Sequence, residues 1–408
     1  MPFAIYILGL AVFAQGTSEF MLSGLIPDIA ADLNVSIPSA GALTSAFAVG
    51  MIVGAPSAAI LSLRWPRRTA LLVFLIVFML VHVLGAVTTS FGVLLATRVV
   101  GALANAGFLA VAIATATGMV AADAKGRATS VLLGGVTVAC VVGVPAGALL
   151  GQMWGWRAAF WAVALVCVPA VVAILRSVPA TGPSMEPSTQ PGGTAQAGAR
   201  GERAATGPSA RRELRALRDP RLIVTLLLGA LVNGATFCAF TYLAPLVTEV
   251  GGFGDGWVPV MLALFGLGSF TGVTVAGRMS DARPVRLLLV GGPALLAGWL
   301  LFAVAAGNPV AMVVLVFVQG TLSFAVGSTL ITRVLYAAAE APSLGGAFAT
   351  AALNVGAAAG PLLGGVAIGA GLGYRSPLWA GALLVALAFV IAGLARAVRA
   401  DRTLTTAP

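Results

Sequence analysis

Residues 15–30 read QGTSEFMLSGLIPDIA, and residues 233–248, which lie 218 positions further on, read NGATFCAFTYLAPLVT. At that offset Gly16 meets Gly234, Leu25 meets Leu243 and Pro27 meets Pro245. The same offset pairs Phe47, Gly50 and Gly54 with Phe265, Gly268 and Gly272, and Arg68 with Arg286. It pairs Gly147, Gly151 and Gly155 with Gly365, Gly369 and Gly373, and Arg157 and Trp161 with Arg375 and Trp379. Chance gives one or two such coincidences but not a run in one register. The chain is therefore a duplicated unit.

The solvent of that unit follows from composition. Hydrophobic residues make up 59% of the 408 and charged residues only 9%, whereas soluble domains hold roughly 45–50% apolar residues. So few charges cannot cover a water-exposed surface of this size. Twelve apolar stretches run over 4–27, 41–63, 69–88, 92–120, 129–151, 158–176, 221–247, 257–277, 285–306, 310–336, 344–370 and 377–396. Each is long enough to cross a bilayer, and each must be helical, because an open strand leaves its backbone unpaired in lipid. The predicted fold is an all-α membrane protein of twelve transmembrane helices. Its two six-helix halves span 1–176 and 220–398, joined by a cytoplasmic linker over 177–219 and followed by a tail over 399–408. The linker is rich in Pro, Gly, Ser, Thr, Ala and Arg and lacks apolar periodicity, as flexible linkers do. Six is even, so both halves enter from the same side and the repeat is parallel, about an axis along the membrane normal.

The formal charge of +10 does not point to nucleic acid. Twenty of the 23 basic residues fall in the loops of one side, at the linker or at the C-terminus, and Arg157 and Arg375 alone lie on the other. That asymmetry is the positive-inside rule. It predicts a multi-pass protein of the bacterial cytoplasmic membrane with both termini cytoplasmic, and a monomer is expected. Cys140, Cys167 and Cys238 sit in apolar segments without metal-like or disulfide spacing. No metal or cofactor is expected, and the single histidine leaves little room for histidine-based enzymology. An ATP-driven pump is disfavoured because its phosphate loop needs Gly-Lys-Ser/Thr, and Gly126 follows Lys125, the only lysine.

Three ionisable side chains lie well inside the spans: Glu19, His82 and Arg98. Each charge there costs roughly 2.5–3.5 kcal/mol on insertion scales. Glu19 and Arg98 fall at about 12 Å and 9 Å from the outer ends of their helices, at 1.5 Å per residue. They can approach directly or through water. The pair reads as a proton-binding carboxylate tuned by a cation, or as a static ion pair that orders the first half. For His82 a structural hydrogen bond is the expected role. Gln15, Asn105, Phe108, Asn233, Phe237, Phe240, Tyr242, Gln319 and Asn354 are candidates to line a cavity for a small organic molecule. After the eighth span, Asp281 lies beside Arg278 and Arg286 and suits a latch that breaks as the halves rock. Gly143, Pro145 and Gly147 in span five suit close packing and a bend.

The stretch QGTSEFMLSGLIPDIA resembles the first span of the drug:proton antiporter branch of the major facilitator superfamily. Arg98 resembles that branch's span-four motif, with Gly101 and Ala102 where Gln-Gly is usual. Gly143-Val-Pro-Ala-Gly147 resembles its span-five motif, with Val144 in place of Gly. The loop motif after span two is degenerate at Leu63, whereas the loop after span eight keeps Asp281. MPFAIYILGL, RWPRR, GALANAGFLAVA, GRATSVLLGGV, NGATFC, FGLGSF, VQGTLSFAVGSTLI and FATAALNVGAA are together similar to the chloramphenicol-resistance exporters of actinomycetes. The resemblance implies a small-molecule drug, a phenicol, exported in exchange for protons by alternating access. A sugar or nucleoside efflux carrier of the same fold, and a passive channel, are the alternative readings.

Overall fold

The computed structural model describes residues 2–62, 65–178, 219–279, 284–338 and 345–405, and at 55–62 and 399–405 the backbone alone. Residues 179–218 of the expected linker, Leu63, and Asp281 of the expected latch lie outside the described residues. Twelve helices are long and apolar enough to span a membrane. They are α1 (Phe3–Gly24), α2 (Ile37–Gly54, its helix continuing to Ser62), α3 (Arg67–Val87), α4 (Phe91–Gly118), α5 (Lys125–Trp154) and α6 (Trp156–Ser177). The second half comprises α7 (Pro220–Thr241), α8 (Asp255–Met279), α9 (Val285–Ala305), α10 (Pro309–Ala337), α11 (Gly346–Leu372) and α12 (Ser376–Val398). One apolar core fills the first half, around Leu8, Phe78, Phe108 and Phe160. Another fills the second, around Met261, Trp299, Phe302 and Val316.

The duplication is physical as well as textual. A Cβ on Gly50 would strike the Val99 carbonyl of α4, and one on Gly268 would strike the Phe317 carbonyl of α10. Gly54 abuts Leu103, and Gly272 abuts Thr321. The partners too are 218 residues apart, so α2 packs on α4 as α8 packs on α10, backbone against backbone through small residues. Gly155 and Gly373 both hold a positive φ, at 80° and 74°, where a side chain would be strained. Each makes the turn into the last helix of its half. Arg157 donates to the Thr88 carbonyl and Arg375 to the Val304 carbonyl. Each clips the start of that last helix to the end of the third.

The first helix of each half breaks shortly before its proline, three residues later in the second half than in the first. Regular α-helix ends at Phe20 and gives way to a 3-10 turn, Met21–Gly24. In α7 it ends at Thr241. Pro27 has no N–H for the Ser23 carbonyl and Pro245 none for Thr241, so neither helix can propagate through its proline.

Among the described residues the halves meet near the face opposite the arginine-rich loops and at mid-depth. At the face opposite the arginine-rich loops, Pro38 of α2 lies against Gly365 of α11, and Gly41 against the Tyr242 ring. Gly24 lies against Leu262 of α8, and the Gln152 side chain donates to the Asp255 carbonyl. Deeper in, Gly266 of α8 abuts Cys140 and Val141 of α5. Further toward the arginine-rich face, a Cβ added at Gly134 of α5 or at Gly277 of α8 would meet nothing within 4 Å. On the opposite face the contacts between the halves stand beside a cleft of about 970 Å³ lined by Pro27, Asp32, Gln152, Thr248 and Glu249.

Candidate functional site

The contacts between the halves reach inward to where α1 and α5 carry their irregular turns. A π-helical segment, Ala139–Gly143, interrupts α5, and Pro145 lacks the N–H that the Val141 carbonyl would receive. Gly9, Gly16, Gly135 and Gly143 let α5 lie directly on α1. The Gly135 position faces the Gly9 carbonyl, and a Cβ on Gly143 would collide with the Thr17 side chain. The glycines of span five thus serve the helix that carries Glu19. Gly147 faces Met21 one turn further along. Pro361 bends α11 in the second half, and its carbonyl accepts the Tyr242 hydroxyl at 2.8 Å.

Beside this junction lies a small cavity between the halves, lined by Phe20, Cys140, Phe237, Phe240, Phe265 and Phe324, with Thr236 and Ser269 as its hydroxyls. The rings form a connected set. Phe20 to Phe237 is 5.7 Å between centroids, Phe240 to Phe265 is 4.6 Å, and Phe265 to Phe324 is an edge contact at 6.2 Å. The walls of the cavity are apolar with few polar groups, as those of small-molecule sites are, but as it stands it has room for about one water, so a drug enters only if the halves move apart.

The charged groups sit on the first-half side of this cavity. Arg98 is 1% exposed. Its two terminal nitrogens donate to the Ser18 Oγ and the Ser18 carbonyl, both at 2.8 Å, and its plane lies 4.4 Å from the Phe47 ring centroid. His82 is buried, with Nε2 2.6 Å from Ser18 Oγ and Nδ1 2.7 Å from the Phe78 carbonyl. Glu19 is partly exposed. Arg98 acts on it through space, but among the described residues no ion pair or hydrogen bond joins Glu19 to Arg98. The acid and the base meet the same turn of α1, and the base rests on the residue before the acid.

The remaining sequence candidates scatter. Phe237 and Phe240 line the cavity. Tyr242 lies among the outer contacts between the halves, fully packed. Phe108 lies inside the first-half core with no exposed surface, and Asn105 is buried against Met51. Asn233 ties α7 to the Leu353 carbonyl of α11, and Asn354 bonds within its own helix to Thr350. Gln15 and Gln319 are buried, and their amides have no hydrogen-bond partner among the described residues. Arg278 and Arg286 are exposed at the arginine-rich face. Phe20, Phe265, Phe324, Thr236, Ser269 and Ser18 were not among the expected site residues. Phe20 and Ser18 flank Glu19 in the opening stretch, and Phe265 stands in the repeat register, so a signal existed for these three.

The sequence pattern of the Major Facilitator Superfamily matches residues 8–351. This chain belongs to that superfamily. It is 58% identical, over 96% of both chains, to a chloramphenicol resistance protein of Streptomyces lividans. It is 34% identical to the inner membrane transport protein YdhP of Escherichia coli strain K12, over 94% of this chain and 93% of that one. A solved bacterial homologue of the human lysosomal transporter Spinster, described as inward-facing and unoccupied, superposes with a TM-score of 0.70 at 17% identity. That match covers 95% of this chain and 94% of the other. The superposition shares the fold of this superfamily transporter.

Proposed function

We propose that this chain is a proton-coupled exporter of chloramphenicol or related phenicols, working by alternating access and conferring resistance. The observation that carries the coupling is Glu19, a carboxyl without a bonded partner among the described residues, partly open beside a cavity and one residue from the anchor of a buried arginine. A charge kept at such depth has a use in transport. The substrate class rests on the Streptomyces relative, and five phenylalanine rings with only two hydroxyls suit an aromatic drug better than a sugar or nucleoside. Direct helix contact between the halves, at Pro38 on Gly365 and Gly266 on Cys140, fits a carrier better than a passive channel.

In this reading the arginine-rich face is cytoplasmic, as the positive-inside rule requires, and both termini are cytoplasmic. The chain acts as a monomer in the bacterial cytoplasmic membrane. Its first bundle ends at residue 176, and its second runs from 220 to 398, with the linker and tail on the cytoplasmic side. Drug enters from inside, the halves rock, and Glu19 takes a proton from outside as the drug leaves. Return to the inward state delivers the proton. Proton and drug must disfavour one another for exchange to be tight, and that disfavour is reciprocal. One proton for one neutral drug gives about 2.3 kcal/mol per 100 mV, a concentration ratio of roughly fortyfold. Arg278, Arg286 and Asp281 are proposed as the latch of the inner face. Gly143, Pro145 and Gly147 let α5 move with α1, and Asn105, Asn233, Gln15, Gln319, Asn354, Phe108 and Tyr242 act from behind the aromatic wall. The test is chloramphenicol accumulation in efflux-deficient cells carrying the protein. Accumulation should be low and should rise when an uncoupler collapses the gradient. Equal accumulation with and without the protein refutes the drug assignment.

A further inference from the structure

The hydrogen bonds around Ser18 have a direction that follows from the groups themselves. The Phe78 carbonyl only accepts, so His82 Nδ1 carries the hydrogen in that 2.7 Å bond. In the neutral ring Nε2 is then an acceptor. Arg98 only donates, so Ser18 Oγ accepts from it at 2.8 Å and gives its own hydrogen to His82 Nε2 at 2.6 Å. The chain runs from Arg98 through Ser18 and His82 to the Phe78 carbonyl, and every bond in it has a single direction. His82 is fixed in turn, stacked at 4.2 Å on Phe78 and at 5.8 Å on Phe160.

This anchor competes with Glu19 for the same cation. Arg98 has a long side chain, and its second terminal nitrogen donates to the Ser18 carbonyl, so one donor from each terminal nitrogen is held one residue short of the carboxyl, while Nε has no partner among the described residues. The groups that face Glu19 are Arg98 from α4 and Cys140 from α5, with His82 of α3 behind Arg98. Among the described residues no acid forms an ion pair with Arg98 at the anchor.

We propose that Ser18 and His82 are positioning residues for proton exchange: His82 orients the Ser18 hydroxyl, and Ser18 holds Arg98 off Glu19, leaving the carboxyl open to the proton. The inference rests on the proton-coupled reading above. Without the anchor, Arg98 is free to close on Glu19, and an opposite charge in contact favours the ionised carboxylate. A lower external pH is then needed to load the proton.

The experiment is the initial rate of chloramphenicol extrusion from energised cells as a function of external pH, with the amount of protein in the membrane measured alongside. The wild-type rate falls as external pH rises, and its midpoint is the readout. Ser18→Ala and His82→Leu should each move that midpoint to lower pH by on the order of one unit. Because both act through one hydroxyl, the double variant should shift no further than either single one. His82→Gln, whose amide oxygen can still accept from Ser18, should keep the wild-type midpoint. If His82→Leu fails to reach the membrane, Ser18→Ala carries the test, since it removes one oxygen and little else. Variants present at wild-type levels with an unmoved midpoint, or a His82→Gln shift equal to that of His82→Leu, overturn the inference while the coupled reading stands. A wild-type rate indifferent to pH and uncoupler overturns both.

Discussion

The two halves share a backbone plan and divide the chemistry. Both break their first helix before a proline, both pack their second helix on their fourth through paired glycines, and both clip their last helix with an arginine on a carbonyl. Yet Ser18, Glu19, His82 and Arg98 stand where the second half has Thr236, Phe237, Leu300 and Val316. The polar network of one half is apolar or aromatic in the other, and Phe237 presents a ring to the cavity at the register position of the acid. Duplication supplied two hinged bundles. Divergence gave proton chemistry to the first and the larger share of the aromatic wall to the second.

Exchanging the halves' chemistry gives the largest expected effect. A Glu19→Phe, Phe237→Glu double variant moves the acid to a half that has Val316 in place of a cation. Uphill export should fall to the level of cells without the protein, as read by drug accumulation. Next comes the contact of α1 with α5. Gly143→Val must displace Thr17, and overpacking of this kind costs about 1–3 kcal/mol. The protein should show a lowered thermal midpoint in detergent and several-fold slower export. Gly134→Ala, facing open space nine residues earlier on the same helix, should change neither.

These contrasts also mark what the sequence could convey. The twelve spans, the parallel repeat and the sidedness of the arginines were legible, because lipid punishes every unpaired backbone group and every stray charge. The repeat register carried even the Gly155 and Gly373 turns. The level of Glu19 and Arg98 followed from helix rise. Their relation did not: a count of residues fixes depth but not azimuth, and a rotation of α1 by one residue brings Ser18 rather than Glu19 under Arg98. Phe108 misled for the same reason, since an aromatic on a half-buried helix can turn to the core. Phe324 has Ala106 at its repeat position, and the stretch VQGTLSFAVGSTLI that contains it does not say which way its ring turns.

Smaller effects refine the comparison. Phe240→Ala or Phe265→Ala removes one of the tilted ring contacts of the cavity wall, each worth about 0.5–1.5 kcal/mol. Half-saturating drug concentration should rise roughly two- to tenfold, with the pH profile unmoved. The smallest concerns the outer clips. Arg157 also pairs with Asp32, whereas Arg375 has no acid partner among the described residues. The hydrogen bond from Arg157 holds the Asp32 carboxyl below the usual carboxylate range, helped by Trp156 against partial burial. Such a group stabilises above its unfolded value of about 3.9, and that stability is lost as pH falls through the lower folded value. Both partners are well exposed, so Asp32→Asn should cost less than about 1 kcal/mol at pH 7. The difference in thermal midpoint from wild type should vanish in acid.

The central claim is that Glu19 couples drug to proton. Inside-out membrane vesicles given an imposed pH gradient, acid within, measure it directly through chloramphenicol uptake by the wild type and by Glu19→Gln. The account predicts concentrative uptake by the wild type and mere equilibration by the variant, at equal protein. Concentrative uptake by Glu19→Gln, with the wild-type dependence on pH, would contradict it.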